Sequence, residues 1–134
     1  MPAQLPYKQS FKKNERLKSS KAIEQLFEKG TSVSEYPFKF LWLPSTTATA
    51  PMQTCIAVPK RKIRQANGRN LIKRRIKESF RRCKGLLYEG LETHNKHLSL
   101  VILYTGPPDM AYAKIDEALQ RGLQKLAKQH EANT

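Results

Sequence analysis

The stretch Val58-Pro-Lys-Arg-Lys-Ile-Arg-Gln-Ala-Asn-Gly-Arg-Asn-Leu-Ile-Lys-Arg-Arg-Ile-Lys-Glu-Ser-Phe-Arg81 decides how this chain is read. At about 100° per residue, Ile72, Ile76, Phe80 and Cys83 fall within an arc of about 80°. Asn70, Lys73, Arg74, Lys77 and Arg81 share an adjoining arc of about 100°, and Arg75 and Arg82 lie on a third side. One face is suited to packing and two carry cations, the pattern of an amphipathic helix. The helix is predicted from Ala66 or Asn67 to about Lys84, with Lys60 to Gln65 as a loop before it.

Residues 60 to 84 hold 12 basic side chains and one acidic one, Glu78. Acids that would alternate with bases at i,i+4 spacing are missing, so like charges stand one turn apart and weaken the isolated helix. A polyanion offsets that cost. Lys and Arg on a rigid helix exchange condensed counterions for phosphates at fixed spacing, and Arg adds a planar fork. Asn70 offers a donor and an acceptor for a base edge or a 2′-hydroxyl. The competing reading, a solvated basic face with no partner, leaves the missing acids unexplained.

Outward from the helix, Gln53 to Val58 reads as a short strand that Pro59 ends. His97 to Tyr104 is apolar on both faces and reads as a central strand. Tyr36 to Leu43 alternates, with Phe38, Phe40 and Trp42 on one face and Lys39, Leu41 and Leu43 on the other. An aromatic row of that kind is what a buried sheet face needs. A first helix is expected from Asn14 or Ser19 to Glu28, capped by Ser19 or Ser20 and stopped at Gly30. A last one is expected from Tyr112 to Lys128, with Ile115, Ala118, Leu119, Leu123 and Leu126 on one stripe. Pro44 to Pro51 is a loop bracketed by prolines. Residues 1–10 read as a flexible arm and 129–134 as a C-terminal tail. The order is α-β-β-α-β-α, with a further strand possible in the loop region. This is an α+β fold, a small α/β sandwich forming one domain over 1–134.

The chain has 134 residues with 25 Lys and Arg against 11 Asp and Glu, a net charge of +14. That balance calls for nucleic acid, an anionic membrane or an acidic protein. No apolar run approaches the ~20 residues that span a bilayer, and the N-terminus lacks the features of a signal peptide. Cys55 and Cys83 have no CxxC spacing and read as reduced thiols of a cytoplasmic protein. The carboxylates are scattered, whereas metal-dependent phosphoryl hydrolysis needs them clustered. His94 and His97 are three apart but lack a third ligand. No catalytic or metal-binding residue is expected.

The basic run resembles the RNR motif of the bacterial ribonuclease P protein subunit. Its elements read here Lys60-Arg61, Ala66, Arg69-Asn70, Lys73-Arg74, Lys77-Glu78 and Phe80-Arg81, at the family's spacing. Arg16-Leu-Lys followed by Ile23, Phe27 and Gly30 is similar to the family's first helix, and the likeness extends over about residues 11 to 128. There are departures: Pro59 stands where Ser or Ala is usual, and Asn67-Gly68 replaces a more helix-favouring pair. Lys77 replaces an Arg, and Ile23 an aromatic.

The resemblance implies a left-handed βαβ crossover and a role in removing the 5′ leader of precursor tRNA. The chemistry would belong to the RNA subunit, and the RNA–protein holoenzyme would require Mg²⁺. Lys60, Arg61, Arg69, Asn70, Lys73, Arg74, Lys77 and Arg81 would meet the catalytic RNA, with Lys62 and Arg64 from the same loop. Ile23, Phe27, Lys39 and Leu41 would line the leader cleft; a plain core position is the alternative for Phe27. The partners implied are ribonuclease P RNA and precursor tRNA, with no membrane and no DNA. The rival readings are a ribosomal or other structured-RNA-binding protein and a helix-turn-helix DNA binder. The latter needs two helices in tandem, whereas strand and loop precede the basic helix.

Overall fold

A computed structural model describes residues 11–45, 50–93 and 96–132. The expected arm at 1–10, part of the Pro44 to Pro51 loop and the last two residues lie outside them. The elements are α1 (Ser20–Lys29), β1 (Thr31–Glu35), β2 (Phe38–Pro44), β3 (Met52–Ala57), α2 (Ala66–Cys83), α3 (Gly85–Thr93), β4 (Leu98–Tyr104) and α4 (Tyr112–Ala132), after a short 3₁₀ turn at Lys13–Glu15. The sheet order is β1-β2-β4-β3. β4 is central, as its apolar faces demand: it pairs antiparallel with β2 and parallel with β3. The parallel pair is joined through α2 and α3, which makes the βαβ unit.

Three elements differ from expectation. The further strand is β1, not part of the Pro44 to Pro51 loop. Its only large apolar residue is Val33, so it carries little alternation to read, and pairing with β2 holds it. α3 was not expected. Lys84 closes α2 in helical geometry, with φ −58° and ψ −24°, so the chain restarts a helix at Gly85 where the glycine suggested a stop. α4 runs to Ala132, so residues 129–132 continue the helix and are not tail.

The sheet is buried on one face and half covered on the other. Phe38, Phe40, Trp42, Leu100, Ile102 and Tyr104 pack with Ile72, Ile76 and Phe80 of α2 and Ile115, Leu119 and Leu123 of α4. Burying each such side chain contributes about 1.5–3 kcal/mol. Gly122 lets α4 approach: a Cβ there would lie 2.2 Å from the Phe40 ring. On the opposite face Leu41 and Val101 are buried with Leu26 of α1 and Leu17. α1 is capped by Ser19, whose hydroxyl accepts the Ala22 N–H at 3.2 Å. Serine is favoured there because its oxygen satisfies an orphan donor.

Candidate nucleic-acid interface

α2 turns its apolar arc to the core as the wheel requires; Ile72, Ile76 and Phe80 are fully buried. The neighbouring arc faces out. Asn70, Lys73, Arg74 and Lys77 line one open concavity of about 390 Å³. Arg81, one turn further, pairs with Glu78 on the surface. Such an exposed pair contributes ~0–1 kcal/mol, so a phosphate can compete for Arg81. Lys73 lies close enough to Cys55 of β3 for its ammonium to favour the thiolate, although burial dominates and pushes that thiol up.

The loop before α2 presents Lys60, Arg61, Lys62 and Arg64 as exposed side chains while Ile63 is buried between them. The backbone turns sharply: the amides of Lys62 and Ile63 donate to the Pro59 carbonyl at 3.1 and 3.2 Å. Arg69 is placed differently from the other residues of the motif. Its Nη1 donates to the carbonyls of Ile63 and Arg64 at 2.9 and 2.8 Å. The signal was present in the spacing: Arg69 falls about 60° from Ile72, inside the apolar arc.

The proposed leader-cleft residues separate into two groups. Phe27 is 53% exposed, which rules out the plain core alternative. Lys39 is exposed, and in register it lies beside half-buried Leu103 of β4, itself beside Ala57 of β3. Ile23 is half-buried against the second apolar cluster. Leu41 is 6% exposed beneath α1, so it is core of that cluster and not an open surface. Lys39, Leu103 and Ala57 thus lie side by side on this face of the sheet, and Phe27 is exposed on α1, which packs on the same face. Phe38, Phe40 and Trp42 are buried as expected.

Several cations are engaged internally. Arg75 donates to the Met110 carbonyl at 2.6 Å, and Arg82 reaches the Tyr112 hydroxyl at 3.4 Å, so the third side of α2 holds the start of α4. Lys84 is buried and pairs with Glu15, whose Oε2 also accepts the Tyr88 hydroxyl at 2.5 Å. The Lys12 amide donates to the other oxygen at 3.1 Å. Burial raises the pKa of Glu15, but the hydrogen bonds from Lys84, Tyr88 and Lys12 and the Lys84 charge outweigh it and hold the carboxyl below its ordinary value. This buried triad fastens residues 12–15 to the α2–α3 joint. Beside it, the rings of Phe11 and Phe80 meet edge-on at 5.7 Å. The sequence held no sign of the triad, since its members are 69 and 73 positions apart.

Two groups that sequence reasoning considered for chemistry are packed. Burial pushes the Cys83 thiol up to about 11, against the pull of the Ser79 hydroxyl. His97 Nδ1 lies 2.9 Å from the Ala50 carbonyl; His94 is outside the described residues. Among the described residues, no group of three His, Cys, Asp or Glu is placed to hold a metal ion, and no helix is long and apolar enough to cross a membrane.

Comparison with known proteins places this geometry. The family model described as Ribonuclease P matches residues 11–127. The chain is 26% identical over 116 residues to the ribonuclease P protein component of Porphyromonas gingivalis, covering 86% of this chain and 85% of that one. It is 36% identical over 76 residues to the component from Petrotoga mobilis, covering 57% and 62%. Among solved structures, the RNase P protein of Staphylococcus aureus superposes with a TM-score of 0.65 at 22% identity, covering 84% of this chain and 94% of that one. The Thermotoga maritima protein gives 0.65 at 23% identity, covering 85% and 96%. With the family match spanning most of the chain and the same fold in these neighbours, the chain belongs to the ribonuclease P protein family.

Proposed function

We propose that the chain docks on the catalytic RNA of ribonuclease P through the outer face of α2 and the loop before it, and holds the 5′ leader of precursor tRNA on the uncovered end of the sheet. As a member of its family it is the protein part of a ribonucleoprotein endoribonuclease. The observation that carries the docking reading is the concavity in which α2 gathers Asn70, Lys73, Arg74 and Lys77. A concave cationic face on a rigid helix matches the shape of a folded RNA without reading its sequence. Lys60, Arg61, Lys62 and Arg64 extend that face, and Arg81 closes its far end.

Phe27 on α1 offers a ring on which an unpaired base stacks, and Lys39 on β2 offers a cation for its phosphate. Stacking tolerates sequence variation, which suits leaders that differ between tRNA precursors. Ile23 and Leu41 belong to the apolar cluster that seats α1 on the same face of the sheet. Mg²⁺ in the RNA–protein holoenzyme would supply positive charge for the hydrolysis, and the part of this chain is to bind the two RNAs. The protein works in the cytoplasm, where Cys55 and Cys83 remain free thiols.

Reconstitution tests the reading. Purified protein, a bacterial ribonuclease P RNA and precursor tRNA are combined at low Mg²⁺, and leader release is followed with each component omitted in turn. Stimulation that requires both protein and RNA is expected. Tight RNA binding without stimulation would favour a ribosomal or other structured-RNA-binding role, and cleavage by protein alone would place an active site in this chain.

A further inference from the structure

We infer that Arg69 is a positioning residue: it fixes the loop from Pro59 to Gln65 in its RNA-binding shape before RNA arrives, and acts through the cations of that loop. The inference rests on the docking face proposed above and gives Arg69, which the resemblance would have meet the RNA directly, a different part.

Three observations carry it. One guanidinium nitrogen, Nη1, donates to two successive carbonyls, Ile63 at 2.9 Å and Arg64 at 2.8 Å. Those carbonyls belong to the loop that presents Lys60, Arg61, Lys62 and Arg64. Ile63 is 4% exposed and anchors the loop in the core. Gly68 makes room for that anchor, since a Cβ at Gly68 would lie 2.8 Å from Ile63 Cγ2. Arg69 and Gly68, adjacent in the first turn of α2, thus both act on Ile63, and Arg69 also holds Arg64.

Four cations within five residues repel one another, and a free loop would spread them apart. A charged donor bound to two loop carbonyls opposes that spreading, because charge-assisted hydrogen bonds are roughly twice as strong as neutral ones. A loop ordered in advance pays less conformational entropy when it meets RNA. A lysine in place of Arg69 keeps the charge, but it ends a flexible stem in a compact, strongly hydrated ammonium where Arg has a pre-organised planar group, so it holds the two carbonyls less firmly.

The test compares the wild type with Arg69→Lys in two measurements. In the RNA-free protein, amide exchange is followed at Lys62 and Ile63, both bonded to Pro59. Arg69→Lys is expected to speed exchange there roughly tenfold while Ile76 and Phe80 in α2 keep their protection, which shows that the variant is folded. Unchanged protection at Lys62 and Ile63 would overturn the inference whether or not RNA binds. The second measurement is affinity for ribonuclease P RNA, in the wild-type background and in one carrying Lys60→Ala, Arg61→Ala and Lys62→Ala. Arg69→Lys is expected to weaken binding roughly fivefold in the first and less than about twofold in the second, because residues acting as one unit are not additive. Equal losses in both backgrounds would make Arg69 an independent phosphate contact. Failure of the wild type to bind the RNA would sink the docking proposal and leave the exchange data to judge the loop.

Discussion

Replacing Lys73 and Lys77 by Ala tests the α2 face most directly. The two stand one turn apart, about 6 Å along the axis, and line the same concavity. Neither has a role in the core: Lys77 is exposed, Lys73 is half-buried, and the buried arc of α2 runs through Ile72, Ile76 and Phe80. If each neutralises one phosphate, each contributes about 0.7–0.9 to the slope of log K against log salt. The pair then accounts for roughly 1.4–1.8 of that slope. Between about 50 and 200 mM salt, a fourfold change, the advantage of the wild type over the double variant should shrink by roughly tenfold. Anisotropy titrations with labelled ribonuclease P RNA across that range give both slopes, and urea melts check that stability is unchanged. Parallel lines, with the variant weaker by a constant factor, would mean that the lysines do not release counterions and that RNA docks elsewhere.

Three further outcomes are expected. Glu15→Gln should cost about 3–5 kcal/mol by leaving Lys84 buried without its counter-charge. Because the folded Glu15 pKa lies below the unfolded value, the charged pair's contribution is fully present above that unfolded value and is lost as pH falls through the folded one, so the gap to wild type in urea melts should narrow in acid; a gap independent of pH would refute the pairing. Gly122→Ala should destabilise by about 1–2 kcal/mol, since the clash with the fully buried Phe40 ring outweighs the roughly 1 kcal/mol that Ala gains in a helix; a higher urea midpoint would show that the ring yields. Phe27→Ala should weaken precursor tRNA binding roughly tenfold through lost stacking while sparing mature tRNA; equal losses for both substrates would remove Phe27 from the leader site.

Most of the fold could be read from the chain wherever packing repeats at a fixed period. Ile72, Ile76, Phe80 and Cys83 announce α2, and the unbroken apolar run from Leu98 announces a strand buried on both faces. β1 and α3 escaped because each is held by tertiary partners more than by pattern. β1 has Val33 and little else to mark it, and α3 begins at a glycine that reads as a stop. In the site, the sequence identified which residue types form the cationic face but not which cations are engaged inside the molecule. Arg75 bonds a carbonyl 35 positions away and Lys84 a carboxylate 69 positions away. Contacts at that separation have no local signature. Arg69 is the exception, because its place within the apolar arc of α2 is visible from spacing alone.

The distribution of acids explains why the positive charge is concentrated on one side of function. Glu15 is buried against Lys84. Glu35 takes both Lys125 and Arg121 of α4, and their hydrogen bonds hold its carboxyl below its ordinary value. Asp116 accepts the Ser79 hydroxyl at 2.6 Å and the Gln120 amide at 2.8 Å, joining α4 to α2. These carboxylates are engaged in fastening the 3₁₀ turn to the α2–α3 joint, α4 to β1, and α4 to α2. Their partners lie in those joints, whereas the concavity is lined by Asn70, Lys73, Arg74 and Lys77. The structural joints are thus close to neutral, while the loop and the outer face of α2, where Glu78 pairs with Arg81, keep an excess of cations that repel one another. A polyanion bound there relieves that repulsion only in the folded state, so RNA binding and the stability of α2 and its loop are linked by mass action.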